Sequence, residues 1–239
     1  MKFKSFVFAL VACFLVSSCD LSNAAKGGMI GGASGGALGT GVGLLVSKLA
    51  GTNTAKTTSI AAAAGVAVGA TAGSLIGHKM DKAAKAAAAL AQSELLEDKD
   101  GLSYVKVTFD SGILFNLGKS TLSAAAQQNL AKFAKEVLTS DMDVNVVGYT
   151  DNTPFKGVSL EESMAKNKAL SLERANAVSN YLKSNGATAE QITSVLGLGE
   201  ENPVADNATA EGKAQNRRVE VFILPSKEMI EAANAGTLQ

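Results

Sequence analysis

The sequence predicts a mixed α/β domain preceded by a helical hairpin that is rich in glycine. Three observations support this prediction. Short β-type apolar runs alternate with long helical patterns from about residue 101 to residue 225. Glycine recurs at every fourth position in two stretches between residues 27 and 77. Aromatic residues are absent between residues 16 and 103, so the chain divides into an apolar leader, an Ala/Gly segment and an ordinary globular segment.

The overall composition excludes several functional classes. Lys and Arg together number 22 and so do Asp and Glu, which excludes a strongly basic nucleic-acid binder. The single histidine, His78, excludes most His-based catalysis and any metal site built from several histidines. We therefore expect no enzymatic activity, no cofactor, no metal and no nucleic-acid partner.

The N-terminus has the layout of a secretion leader. Lys2 and Lys4 precede an apolar run, residues 6–16, that is too short to span a membrane comfortably. The run ends in LVSSC at residues 15–19, which resembles the lipobox of bacterial lipoproteins and implies cleavage before Cys19 and acylation of that residue. Several acyl chains would hold the protein on a membrane, since each buried methylene contributes about 0.8 kcal/mol. A plain signal peptide with a free Cys19 is the alternative.

The lipobox predicts a signal peptide over residues 1–18 and a lipidated linker over residues 19–26. It implies a bacterial cell-envelope protein that faces the periplasm, with the outer membrane favoured. Asp20 directly after the cysteine resembles the enterobacterial signal for inner-membrane retention, so the inner membrane is the alternative location. Cys13 would leave with the leader, so the mature chain keeps no thiol for a disulfide.

Glycine spacing defines the next segment, residues 27–80. One series is Gly27, Gly31, Gly35, Gly39 and Gly43, and the other is Gly65, Gly69, Gly73 and Gly77. Fourfold spacing places each series on one helix face, and bare faces let two helices approach closely. The uncharged runs 27–47 and 57–77 are each about 20 residues long, near the length that crosses a bilayer, and residues 48–56 supply the turn. The sequence therefore predicts a hairpin that resembles the glycine-zipper domains of bacterial envelope proteins.

Three interpretations of this hairpin stay open. In the first, the hairpin contacts or enters a membrane. In the second, it packs on itself or on further copies of the chain. In the third, residues 27–80 form no hairpin and are a flexible Gly/Ala tract. The lack of Trp and Tyr at the ends of the runs weakens the membrane interpretation. The regular four-residue repeat argues against a flexible tract. Residues 81–100 are rich in Ala and Lys and then acidic, which predicts a helical linker.

Residues 101–225 carry the periodicities of the mixed domain. Strands are expected over residues 104–109, 144–147, 192–198 and 219–224, and helices over 120–138 and 159–184. Asn185-Gly186 is a common signal for the end of the second helix. Right-handed crossovers in the order β-α-β-α-β-β place both helices on one face of a mixed sheet. Residues 226–239 are expected to form a C-terminal tail.

Three motifs lie on these elements in a fixed order. They are GYTD at residues 148–151, NKALSLERA at 167–175 and NRRVE at 216–220. Together they resemble the OmpA-like peptidoglycan-binding domain, and the resemblance covers about residues 103–225, roughly half of the chain. It implies a noncatalytic domain that binds the diaminopimelate in the peptide stem of peptidoglycan.

The resemblance also implies the residues of a ligand site. Diaminopimelate presents an ammonium, from which the Asp151 carboxylate can accept a hydrogen bond. It also presents a carboxylate, which Arg174 can hold through two parallel N–H bonds that lysine could not reproduce. Asn167 lies seven residues before Arg174, two turns along the same helix face. Thr150, beside Asp151, and Asn116, in the exit loop of the first strand, complete the set, although many family members have Asp at the position of Asn116. A structural Asp151–Arg174 ion pair, worth about 0–1 kcal/mol at a surface, is the alternative.

The sequence thus predicts a tether that joins a membrane to the cell wall, with Cys19 in the lipid and the domain on peptidoglycan. In an alternative hypothesis, the main role of the glycine series is oligomerisation. The chain would then form a membrane pore or an assembly scaffold, and peptidoglycan binding would only fix its position. A third hypothesis rests on TPF at residues 153–155, within the long stretch 152–166, which resembles the flagellar stator branch. The uncharged runs lack the intramembrane carboxylate that a proton path needs, which disfavours a motor role.

Overall fold

The computed structural model describes residues 60–116 and 118–238. The described residues form seven helices and five strands. In chain order these elements are α1 (Ile60–Ala64), α2 (Ala70–Ala88), β1 (Gln92–Glu97), β2 (Ser103–Asp110), α3 (Ser111–Leu114), α4 (Ala124–Glu136), β3 (Met142–Gly148), α5 (Leu160–Ser184), β4 (Ile192–Gly197), α6 (Ala210–Asn216), β5 (Arg218–Pro225) and α7 (Lys227–Asn234).

The strands form one mixed sheet in the order β1-β2-β5-β3-β4. β3 and β4 are parallel, and every other neighbouring pair is antiparallel. The parallel pair is joined through α5, because a parallel connection needs a crossover of a dozen or more residues. The expected mixed α/β fold is confirmed from β2 to β5, and β1 adds a fifth strand at one edge of the sheet.

The two long helices α4 and α5 cover one face of the sheet. Each begins at a serine cap: Ser123 accepts from the backbone N–H of Ala126, and Ser159 accepts from that of Glu162 at 3.2 Å. Phe133 of α4 meets Phe109 of β2 edge-on, with 5.5 Å between the ring centroids. Both helices lie on the same face, as the order of the elements predicts.

Helices α2 and α7 cover the opposite face of the sheet. The face of α2 that is buried carries Ala72, Ile76, Met80, Ala83, Ala84 and Ala87, at helical spacing. Beneath them Tyr104 and Phe222 form a tilted aromatic pair with centroids 6.5 Å apart. Helix α7 packs on α2, so the segment expected to be a C-terminal tail over residues 226–239 contains a helix that is part of the core.

The helical linker expected over residues 81–100 differs from the structure. Helix α2 ends at Ala88, and residues 92–97 form the edge strand β1. Leu96 packs against the core, and Glu94 forms an ion pair of 3.0 Å with Lys106 on the neighbouring strand. Pairing with β2 therefore overrides the helix propensity of this segment, which favoured a helix when considered alone.

The continuous helix expected over residues 57–77 is also interrupted in its described part. Helix α1 ends before Gly65, whose φ of 74° is left-handed, and a new helix begins after Gly69. Asn234 of α7 spans the break, because its Oδ1 accepts from the Gly69 N–H at 2.9 Å and its Nδ2 donates to the Ala67 carbonyl at 2.7 Å. These side-chain bonds satisfy backbone groups that an uninterrupted helix would pair internally.

The first glycine run, residues 27–47, and the lipidation residue Cys19 lie outside the described residues. The glycine-zipper hairpin and the lipid anchor therefore stay predictions. Within residues 60–116 and 118–238, no helix combines the length and the apolar character needed to cross a membrane.

Asp143 on β3 gives the fold a specific pH dependence. Burial, and then the negative charge of Glu228 on α7, raises the pKa of Asp143 to about 6. Because this folded-state pKa exceeds the unfolded value of about 3.9, the folded chain binds the proton more tightly. The contribution of Asp143 therefore lowers stability as the pH rises from about 4 through 6.

We expect Asp143→Asn to increase the free energy of unfolding by about 1–2 kcal/mol at pH 7.5, after allowance for solvent screening, and by much less at pH 4. Thermal denaturation at the two pH values measures the difference. Glu190→Gln, which removes an equal charge from an exposed position, is the control. An equal gain for Asp143→Asn at both pH values would contradict the titration of this carboxyl group.

Candidate functional site

The candidate site lies where the end of β3, the middle of α5 and the loop after β4 meet. Gly148 ends β3, and a Cβ atom at this position would overlap the backbone carbonyl of Ser171 on α5. Gly197 ends β4, and a Cβ atom there would overlap the backbone of Leu172. Glycine at both strand ends therefore lets α5 lie directly against the backbone of the sheet. This contact brings the residues after β3 beside the face of α5 that carries Asn167 and Arg174.

Asp151 supplies a buried carboxylate to this site. It is 7% exposed, its Oδ1 accepts from the Thr153 N–H at 2.8 Å, and its Oδ2 accepts from Nη1 of Arg217. Burial by itself would raise the pKa of Asp151, but the hydrogen bonds from Arg217 and Thr153 outweigh it and hold the pKa below its ordinary value. The carboxylate is therefore ionised at neutral pH.

Arg174 supplies a buried cation. It is 4% exposed, its Nε donates to the Lys119 carbonyl at 3.0 Å, and its guanidinium lies 5.3 Å from the centroid of the Phe115 ring. Burial and then repulsion from Arg217 lower the pKa of Arg174, whereas the charge of Asp151 acts in the opposite direction. Within the described ranges no carboxylate forms an ion pair with Arg174, so its terminal nitrogens are available for an anion.

The structural ion pair considered as an alternative for Asp151 does not form with Arg174. Arg217, one of the two arginines in NRRVE, forms the ion pair with Asp151 instead, and its side chain is 32% exposed. The sequence gives no signal for this pairing, because the two residues are 66 positions apart. Antiparallel pairing of β3 with β5, which places Gly148 opposite Val219, brings them together.

Asn167 and Thr150 lie in the same region. Asn167 is 4% exposed, and its Nδ2 donates to the Thr153 carbonyl and to Oε2 of Glu200, both at 3.3 Å. The Thr150 N–H donates to the Gly199 carbonyl at 2.7 Å, and its buried Oγ1 has no hydrogen-bond partner among the described residues. Glu200 is a neighbour of the site that the motifs do not indicate.

The exit loop of β2 reaches the site through its backbone. Asn116 has an exposed side chain, and its carbonyl accepts from the Lys119 N–H at 3.0 Å. The Lys119 carbonyl in turn holds Arg174. These backbone contacts connect the turn at Asn116 to the guanidinium of Arg174. Ligand binding by the Asn116 side chain stays a prediction.

Arg218 has a structural role beside the site. It is buried, its guanidinium lies 3.7 Å from the Tyr149 ring centroid, and its Nε donates to Glu220 at 2.8 Å. Its Nη2 also donates to the Asn202 carbonyl at 3.2 Å, which fixes the loop after β4. No group of three or more His, Cys, Asp or Glu side chains in the described part of the chain could hold a metal ion.

Residues 114–217 match the sequence model of the OmpA family. The chain carries an OmpA-family domain. The matched residues include every candidate ligand-binding position, from Asn116 to Arg174, and Arg217 as well.

Two curated relatives and one solved structure place this OmpA-family domain among known proteins. Probable lipoprotein YiaD of Escherichia coli is 41% identical over 121 residues, which cover 50% of this chain and 48% of that protein. Peptidoglycan-binding protein ArfA of Mycobacterium bovis is 43% identical over 83 residues, 35% of this chain and 23% of that protein. The chain thus spans less than half the length of either relative.

A solved MotB-like protein of Desulfovibrio vulgaris shares the fold of the OmpA-family domain. Its TM-score is 0.52 at 21% identity, and the alignment covers 62% of this chain and 92% of that one. This similarity shows the fold alone. The mixed sheet with helices, predicted from the periodicities, is thus found in a solved structure as well.

Proposed function

We propose that this chain is a noncatalytic tether of the bacterial cell envelope, whose OmpA-family domain binds peptidoglycan through the diaminopimelate of the stem peptide. The observation that carries the proposal is the pair of buried charges at the site. Arg174 has no carboxylate partner among the described residues, and Asp151 is ionised beside it. The relative ArfA, by its name a peptidoglycan-binding protein, supports the same function.

The charges suit a group that carries both an ammonium and a carboxylate. Nε of Arg174 already donates to a backbone carbonyl, so the two terminal nitrogens are free to hold a carboxylate by parallel bonds. Each oxygen of Asp151 has accepted one hydrogen bond from the protein and retains a lone pair for an ammonium. A ligand carboxylate would also lie near two guanidinium groups that otherwise repel each other, those of Arg174 and Arg217.

The membrane end of the tether is the predicted acylation of Cys19, and the relative YiaD is named a probable lipoprotein. Residues 60–100 pack on the domain, so residues 20–59 form the connection to the lipid. Confinement to the membrane and the many repeats of the ligand in the wall would raise the effective strength of a modest individual contact. We favour the outer membrane and a periplasmic domain.

Co-sedimentation of the full chain with purified sacculi tests the proposal. We expect binding to sacculi whose stem peptides contain diaminopimelate and much weaker binding to sacculi with lysine, which lacks the second carboxylate. Free diaminopimelate should compete, and free lysine should not. Equal binding to both kinds of sacculi would contradict the diaminopimelate assignment, and binding to neither would contradict the function.

A further inference from the structure

We propose that Glu200 is a positioning residue of the peptidoglycan site, because it orients the Asn167 amide so that the amide oxygen faces the ligand ammonium. This inference rests on the proposed function and adds a residue outside the three motifs. Glu200 lies in the loop after β4, 33 residues beyond the asparagine that it contacts.

The loop that carries Glu200 is held firmly on both sides. The preceding residue, Gly199, accepts from the Thr150 N–H at 2.7 Å and donates its own N–H to Oγ of Ser171 at 2.9 Å. Its φ of 58° is left-handed, and a Cβ atom there would lie 3.1 Å from the backbone nitrogen of Lys168. The backbone that leads into Glu200 is therefore held by the end of β3 and by α5 together.

The two neighbours of the Asn167 amide nitrogen settle its orientation. One is the Thr153 carbonyl and the other is the Glu200 carboxylate, each 3.3 Å from Nδ2. Because a carbonyl and a carboxylate accept hydrogen bonds and do not donate them, the NH2 group must lie between them. The amide oxygen then points to the other side, where it accepts no hydrogen bond from any described residue.

An oxygen in that position is suited to an ammonium. An ammonium has three N–H donors, and the carboxylate of Asp151 does not by itself surround it. The oxygen of Asn167 and the unpartnered Oγ1 of Thr150 offer two further acceptors on the same part of the domain. A glutamine at position 200 can donate as well as accept, so only the Thr153 carbonyl would still require the NH2 group on that side. The Asn167 amide can then turn over and present its NH2 group to the ligand ammonium, which would repel it.

The adjacent residue supplies a matched control. Glu201 is exposed and forms an ion pair of 3.1 Å with Lys168, and it makes no hydrogen bond to Asn167. Glu200→Gln and Glu201→Gln therefore remove the same charge from neighbouring positions of one loop. We expect Glu200→Gln to weaken binding of a soluble diaminopimelate stem peptide by about tenfold, and Glu201→Gln to change it by less than about twofold.

A hydrogen-bond swap separates positioning from a general structural role. Asn167→Asp alone places two carboxylates together and should weaken binding by at least about tenfold. In Asn167→Asp with Glu200→Gln, the introduced glutamine can donate to one aspartate oxygen and the other oxygen still faces the ligand. We expect this double variant to bind more tightly than either single variant.

Titration calorimetry with the full chains measures these affinities, and thermal denaturation verifies folding. Equal affinities for Glu200→Gln and Glu201→Gln, or additive losses in the double variant, would overturn the inference. Failure of the unmodified chain to bind the peptide would instead contradict the proposed function, so the two hypotheses fail separately.

Discussion

Replacing Arg174 with lysine is expected to weaken binding of the diaminopimelate stem peptide by about 100-fold while the domain stays folded. The guanidinium is held by the Lys119 carbonyl and packs on the Phe115 ring, which presents its two terminal nitrogens in a fixed plane. Lysine keeps the positive charge but has neither the planar pair of donors nor an Nε group. The loss would therefore report hydrogen-bond geometry and not charge alone.

Titration of the full chain with soluble stem peptide measures this effect. Lys183→Gln, at the exposed end of the same helix, removes a whole positive charge and should leave the affinity unchanged. Arg174→Ala should bind no better than Arg174→Lys. If Arg174→Lys instead bound within about threefold of the unmodified chain, Arg174 would not be the group that holds the carboxylate.

Replacing Gly148 with alanine is expected to lower the free energy of unfolding by about 3 kcal/mol and to abolish peptidoglycan binding. The added methyl group would occupy the position of the Ser171 carbonyl, which is backbone and cannot move aside without displacing α5. That displacement would separate Asp151 from Arg174, since one follows β3 and the other lies on the helix. Urea denaturation measures the stability, and co-sedimentation measures the binding.

Gly73→Ala is the control for this substitution. Gly73 lies within α2, and the nearest atom to an added Cβ, Cγ1 of Val68, is 4.0 Å away. Alanine at this position should increase stability by about 0.5–1 kcal/mol, because glycine has a lower helix propensity. The same chemical change is thus expected to act with opposite signs at the two positions. A Gly148→Ala chain as stable as the original would show that the close approach is not required.

The sequence indicates which charged residues belong to the site, but it does not indicate which of them form an ion pair. Two of the three motifs, GYTD and NKALSLERA, indicate Asp151, Asn167 and Arg174 from sequence alone, and the structure brings these residues to one region of the domain. The partner of Asp151 is nevertheless Arg217, which the motifs place on a different element. An ion pair between residues this far apart in sequence depends on strand register, and periodicity within one element carries no information on it.

By itself, the sequence determined the elements whose signals are local. Ser159 caps α5 and Gly186, with a φ of 123°, follows its end, as the side-chain chemistry and backbone freedom of these residues predict. Only the tertiary structure decided that residues 92–97 form a strand, that Asn234 spans a helix break, and that Glu200 lies against Asn167. The physical reason is that capping and helical periodicity act over a few residues, whereas strand pairing and long-range side-chain bonds arise only when distant segments pack together.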